Sequence, residues 1–203
     1  MQDIDNGLRE ISEIRSMMER ASKFLSLSGL AGVSAGLVGV GGSVVAGMLL
    51  REDPPPTVGD IVVVALVVLL LAVGLSLFFT RRMALKRGLP VWDAAARRLT
   101  AALLVPLAAG GAVCIALVLH AQYALIPSMM LVFYGLALVQ ASMVTREEVR
   151  WLGLSEVLLG VAAGFWPDWG VVLWGTGFGV LHIVYGTVMY YRYDREIPPR
   201  TVR

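Results

Sequence analysis

Apolar residues in this chain fall into long blocks, separated by short breaks rich in charge, proline or glycine. A helix rises about 1.5 Å per residue, so crossing a hydrocarbon core of about 30 Å takes roughly 20 mostly apolar residues. Six blocks have that character: 24–50, 61–80, 99–119, 124–145, 149–166 and 170–191. The block 61–80 contains no charged residue. The pattern predicts an all-α polytopic membrane protein, a bundle of six transmembrane helices spanning 24–191.

The breaks are chemically suited to turns. Arg51-Glu52-Asp53-Pro54-Pro55-Pro56 is charged and cannot continue a helix. The segment 81–90 is basic and ends in Gly88-Leu89-Pro90, and Trp166-Pro167-Asp168-Trp169 is a tight turn with two interfacial aromatics. The first 23 residues are polar and too acidic for a signal peptide, so 24–50 reads as a first span and not a cleaved leader. Ile11, Ile14, Met18 and Ala21 in that segment, with Leu25 just beyond it, form a heptad-like stripe. It predicts a cytoplasmic amphipathic helix over 1–23. Its mixed charges favour packing on a protein partner, a second copy or the bundle itself over a lipid-surface anchor.

Charge placement then fixes orientation. The chain has 203 residues, 57% of them hydrophobic, and its mean hydropathy is +0.74. Of its 17 Lys and Arg residues, all but Arg51 fall in the segments that six crossings place on one side. Cationic loops stay in the cytoplasm. Both termini, including a basic tail over 192–203, are therefore expected in the cytoplasm, with the bundle in a bacterial inner membrane. The one cysteine, Cys114, excludes an intramolecular disulfide.

Small residues recur within the spans. Ala31, Ala35, Gly39, Ser43 and Gly47 follow at steps of four, with Gly32 and Gly36 beside them. Gly160 and Gly164 mark the fifth span, and Gly175, Gly179 and Gly186 the sixth. Such faces let helix backbones approach where no hydrophobic effect drives association. Gly32-Val33-Ser34-Ala35-Gly36, Pro106-Leu107-Ala108-Ala109-Gly110 and Gly160-Val161-Ala162-Ala163-Gly164 fit three repeated hairpins, as does the pairing of Phe133-Tyr134-Gly135 with Val184-Tyr185-Gly186.

Ionisable groups at membrane depth are costly and mark candidate sites. Glu156 and His182 both sit on small-residue faces and are expected to point inward. With Gln140 and Tyr185 they fall within about 8–15 Å of the cytoplasmic ends. Arg98, at the entry of the third span, is a candidate counter-charge. These five residues predict a polar cluster, which either binds helices 3 to 6 together or handles a proton or solute. The two histidines, His120 and His182, lie at different depths, which excludes a shared haem. No HExxH or Walker motif occurs. No metal, cofactor or nucleic-acid partner is expected, and the lipid bilayer is the partner the composition demands.

The runs Glu13-Ile14-Arg15-Ser16-Met17-Met18-Glu19-Arg20, Phe24-Leu25-Ser26-Leu27-Ser28-Gly29-Leu30, Trp92-Asp93-Ala94-Ala95-Ala96-Arg97-Arg98-Leu99 and Leu181-His182-Ile183-Val184-Tyr185-Gly186 carry a resemblance. Together they resemble a family of small bacterial six-helix integral membrane proteins with no assigned activity. Members encoded near a small winged-helix regulator imply a sensing role, and the resemblance supplies no mechanism. Three function classes follow: a membrane scaffold or sensor acting through protein contacts, a small channel or transporter, and, as the weakest expectation, an intramembrane enzyme.

Overall fold

In a computed structural model, which describes residues 28–195, the chain is a helical bundle with no strand among the described residues. Its helices are α1 (Gly29–Leu49), α2 (Val58–Arg87), α3 (Ala94–Leu119), α4 (Ile126–Ala141), α5 (Glu147–Phe165) and α6 (170–194). The helix expected over 1–23 and the end of the tail, 196–203, lie outside the described residues.

Local chemistry explains most helix ends. At the start of α2, the Thr57 hydroxyl accepts from the Asp60 amide while the Thr57 amide donates to Asp60 Oδ2 at 2.9 Å. Gly88, at φ 64°, closes α2 in the left-handed conformation. Asp93 starts α3 by accepting from the Ala96 amide at 2.7 Å.

Several boundaries differ from the hydropathy pattern, and α3 starts at Ala94, five residues before its apolar block. Helix α2 continues past the apolar block through Arg87, because Met83 and Ala84 there are buried and supply packing beyond the hydrocarbon. Its 30 residues span about 45 Å. Helix α6 likewise runs to Asp194, so the first residues of the expected tail are helical.

Among the described residues, five stretches are long and apolar enough to cross a membrane: Gly29–Leu49, Val58–Arg87, Ala94–Leu119, Tyr123–Val144 and Pro167–Asp194. Helix α5 carries Glu147, Glu148, Arg150 and Glu156, too much charge to qualify on composition. It nevertheless buries Val149, Leu152, Gly153, Glu156, Gly160 and Ala163. Gly135 meets Gly153, Val132 meets Gly160 and Ser128 meets Gly164, so α5 runs antiparallel along α4. The Ser128 hydroxyl ties the pair by donating to Gly160 O at 2.7 Å.

The helices pack in the order α2, α1, α6, then α4 with α5, then α3. Helices α2 and α3 are the outer members. Leu70 on α2 and Leu119 at the end of α3 are 70% and 79% exposed. Apolar side chains facing outward at that level suit a hydrocarbon solvent and not water.

The tightest backbone approach joins α1 and α6. A Cβ on Gly36 would stand 2.7 Å from Gly179 O, and one on Gly32 2.9 Å from Gly186 Cα. Gly29 faces Gly186 and Tyr190, Gly39 faces Phe178, and Gly175 faces Ser43, whose hydroxyl donates to Val171 O at 3.0 Å. The small face of α1 is thus Gly29, Gly32, Gly36, Gly39 and Ser43, at alternating steps of three and four. The steps-of-four face is corrected. At 3.6 residues per turn, such a row drifts about 40° per step. By Gly47 it has rotated off the contact, and nothing lies near that glycine.

Candidate functional site

Helix α6 is not a uniform α-helix. Thr176–Leu181 forms a π-helical turn between two α-helical segments. Single wide turns of this kind occur often at functional sites. Here Gly177 O accepts from His182 Nδ1 at 3.0 Å, while the backbone amide of His182 bonds to Gly179 O. The ring of His182 stacks on Phe178 at 6.0 Å with 9° between the planes.

The other ring nitrogen, Nε2, lies 2.8 Å from the Tyr134 hydroxyl on α4. Glu156 on α5 completes the group, with Oε1 3.3 Å from His182 Nδ1. The Glu156 side chain is 0% exposed and neither of its oxygens has a hydrogen-bond donor. Gly177 makes room for it, since a Cβ there would collide with Glu156 Oε2 and crowd Leu131. Three helices and one widened turn therefore enclose a carboxyl, an imidazole and a phenol.

The structure joins two of the five predicted cluster residues directly, Glu156 and His182. Tyr185 packs instead on the apolar group of Leu138, Val149 and Leu152. Gln140 and Arg98 are corrections, for both are exposed. Gln140 shares an outward face of the α4 stretch with Leu136 and Met143, while Leu131, Gly135 and Leu138 face inward. Arg98 lies on α3, which packs on α4 and not on α6, so it cannot serve as counter-charge to Glu156. His120 is exposed at the end of α3.

Tyr134 and Gly177 were not among the expected site residues. Tyr134 carried one signal, the Phe133-Tyr134-Gly135 motif that matches a segment of α6. Gly32-Val33-Ser34-Ala35-Gly36 also has the GxSxG spacing of a hydrolase nucleophile. Ser34 is no such nucleophile, because it sits inside α1 and donates to Ala31 O at 3.0 Å.

A second polar group gathers the helix ends on one side of the bundle. The Ser28 side chain does not cap α1, and Asp194 of α6 takes that place. Asp194 Oδ2 accepts from the Gly29 amide at 2.7 Å and from Ser28 Oγ at 3.2 Å. Its Oδ1 pairs with Arg87 at the end of α2 at 3.4 Å. A carboxylate suits the positive end of a helix. Nearby, Glu148 on α5 accepts from Arg192 at 2.9 Å and from the Tyr193 hydroxyl at 2.7 Å. Burial pushes the Glu148 carboxyl up, but the bonds from Tyr193 and Arg192 together hold it below its ordinary range. The Arg146 guanidinium lies 3.6 Å over the Tyr193 ring.

Fold and site together define an all-helical bundle of the multi-pass membrane type, with an ionisable pair enclosed between α4, α5 and α6. No protein-family model, curated protein or solved structure matches the chain.

Proposed function

We propose that this is a six-crossing protein of the bacterial inner membrane, with both termini cytoplasmic, that acts as a scaffold or sensor through protein contacts at its cytoplasmic end. The observation carrying this reading is the clasp around Asp194. It ties the start of α1, the end of α2 and the end of α6 together, next to both ends of the described residues. The cationic loops sit at this same end, which supports its assignment to the cytoplasm. Six crossings include α5, whose charges lie in its first turns or, for Glu156, inside the protein. The resemblance of the sequence to small six-helix bacterial membrane proteins agrees with this, and an origin in three repeated helical hairpins is part of the same proposal.

A channel or transporter is the second reading, favoured by an acid and a histidine at depth beside a π-helical turn. Reconstitution separates the two. A scaffold gives proteoliposome flux no greater than empty liposomes, and a co-purifying partner that is lost on deleting residues 1–23. Flux that disappears in Glu156→Gln while the fold survives would establish the transporter instead.

A further inference from the structure

We propose that residues 1–23 dock on their own bundle, covering an apolar patch at the end of α2 and the start of α3. The patch is Met83 and Ala84 on α2 with Ala95 and Ala96 on α3, joined through the turn 88–93.

Burial in the two outer helices is concentrated at this end. Met83 and Ala84 are the buried residues of α2, and Ala95, Ala96 and Gly110 are those of α3. The apolar lengths of both helices are otherwise open or half open, as contact with hydrocarbon allows. The four patch residues lie instead among exposed cations, Arg81, Arg82, Lys86, Arg97 and Arg98. Ala84 is 0% exposed, and Ala95 and Ala96 are 4% and 5%. Adjacent residues point about 100° apart on a helix, so burying both alanines takes a broad contact. Among the described residues, the apolar side chain packed on them is Leu99 of their own helix. Helix α2 packs on α1, and α3 on α4. The described apolar side chains thus supply little of the cover.

Tethering and charge select residues 1–23 as the occupant. The segment joins the bundle through Ser28, which is buried and, with Gly29, is held by Asp194 beside Arg87 at the end of α2. Ala84 lies one turn before Arg87 on that helix. The stripe of Ile11, Ile14, Met18 and Ala21 ends seven residues before Ser28. A tether that short holds it at an effective concentration of about millimolar, an advantage that a second copy lacks in dilute solution. The segment carries five acidic and four basic residues, whereas 81–98 carries six basic and one acidic. Glu10 and Glu13, next in sequence to Ile11 and Ile14, complement that basic surface. An anionic lipid surface would repel the same carboxylates. The contact needs only the geometry of the clasped end, so it holds whether the bundle is a scaffold or a transporter.

Thiol reactivity in detergent micelles, where both ends of the bundle meet the reagent, tests this on the full chain carrying Cys114→Ser. Ala95→Cys is expected to react with a maleimide about tenfold or more slowly than the same thiol in a chain that also carries Ile14→Asp and Met18→Asp. Equal rates overturn the proposal. Protection that disappears on dilution also overturns it, and assigns the cover to a second copy. Ala137→Cys, buried in α4, stays slow in both chains if the aspartate variant keeps its fold. If it does not, a cross-link decides: Met18→Cys and Ala95→Cys in one chain should be bridged by a short bismaleimide without forming a dimer. No bridge, or bridging only between chains in a mixture of the two single-cysteine proteins, overturns the proposal.

Discussion

Asp194 in the last turn of α6 accepts a hydrogen bond from the Gly29 amide at 2.7 Å, so the first helix is capped by the last. Losing a capping side chain costs about 1–2 kcal/mol. Asp194→Ala is expected to lower stability by about that much, or somewhat more because Arg87 loses its partner. Thermal unfolding in detergent measures it. An unchanged melting temperature would mean the clasp contributes nothing.

The glycine contacts predict a contrast within one helix. Gly36→Leu should disrupt the α1–α6 contact, because even a Cβ there meets Gly179 O and Ile183. Overpacking of this kind costs about 1–3 kcal/mol or more. Gly47→Leu should be tolerated, as Gly47 has no near neighbour. Size-exclusion profiles of the two variants report the difference, and equal behaviour would contradict the assigned face.

Buried pairs suffer most when one partner is removed. His182→Ala removes the imidazole that lies 3.3 Å from the buried Glu156 carboxyl and should destabilise by about 3–5 kcal/mol. Adding Glu156→Gln should recover part of that loss. Tyr134→Phe leaves His182 Nε2 without a partner and should cost about 1–3 kcal/mol. A double-mutant cycle on unfolding free energies measures the coupling, and additive losses would show that the pair does not interact.

Glu148 gives the contact at the clasped end of the bundle a pH dependence. Its carboxyl is depressed on balance in the fold, by bonds from Tyr193 and Arg192 that outweigh burial. The resulting stability is present above the ordinary carboxylate range and is lost as pH falls through the lower folded value. Melting temperature should therefore decline in acid, and Glu148→Gln should flatten part of that decline. An identical acid profile in the variant would remove Glu148 as its source.

Hydrocarbon thickness made most of this fold legible, since every apolar block became a helix in the described region. Glu156 and His182 were legible because charge at membrane depth is rare. Depth alone, however, carries no direction around the helix axis. Gln140 had a suitable depth and faces outward, while Tyr134, a turn and a half earlier on the same helix, faces His182. The π-helical turn at 176–181 leaves no periodic trace, because it is a local widening of α6, as is the second at Tyr190–Asp194. Asp194 was hidden for a different reason: its partners Gly29 and Arg87 are far away in sequence, and only the folded bundle brings them near.

Six crossings with the clasped end in the cytoplasm can be tested by labelling single cysteines in intact cells, after Cys114→Ser removes the native thiol. Glu52→Cys, Gln122→Cys and Asp168→Cys are expected to react with a membrane-impermeant reagent. Val91→Cys and Glu147→Cys should react only after permeabilisation. Labelling of Glu147→Cys and Asp168→Cys from the same side would show that α5 does not cross, and would contradict the account.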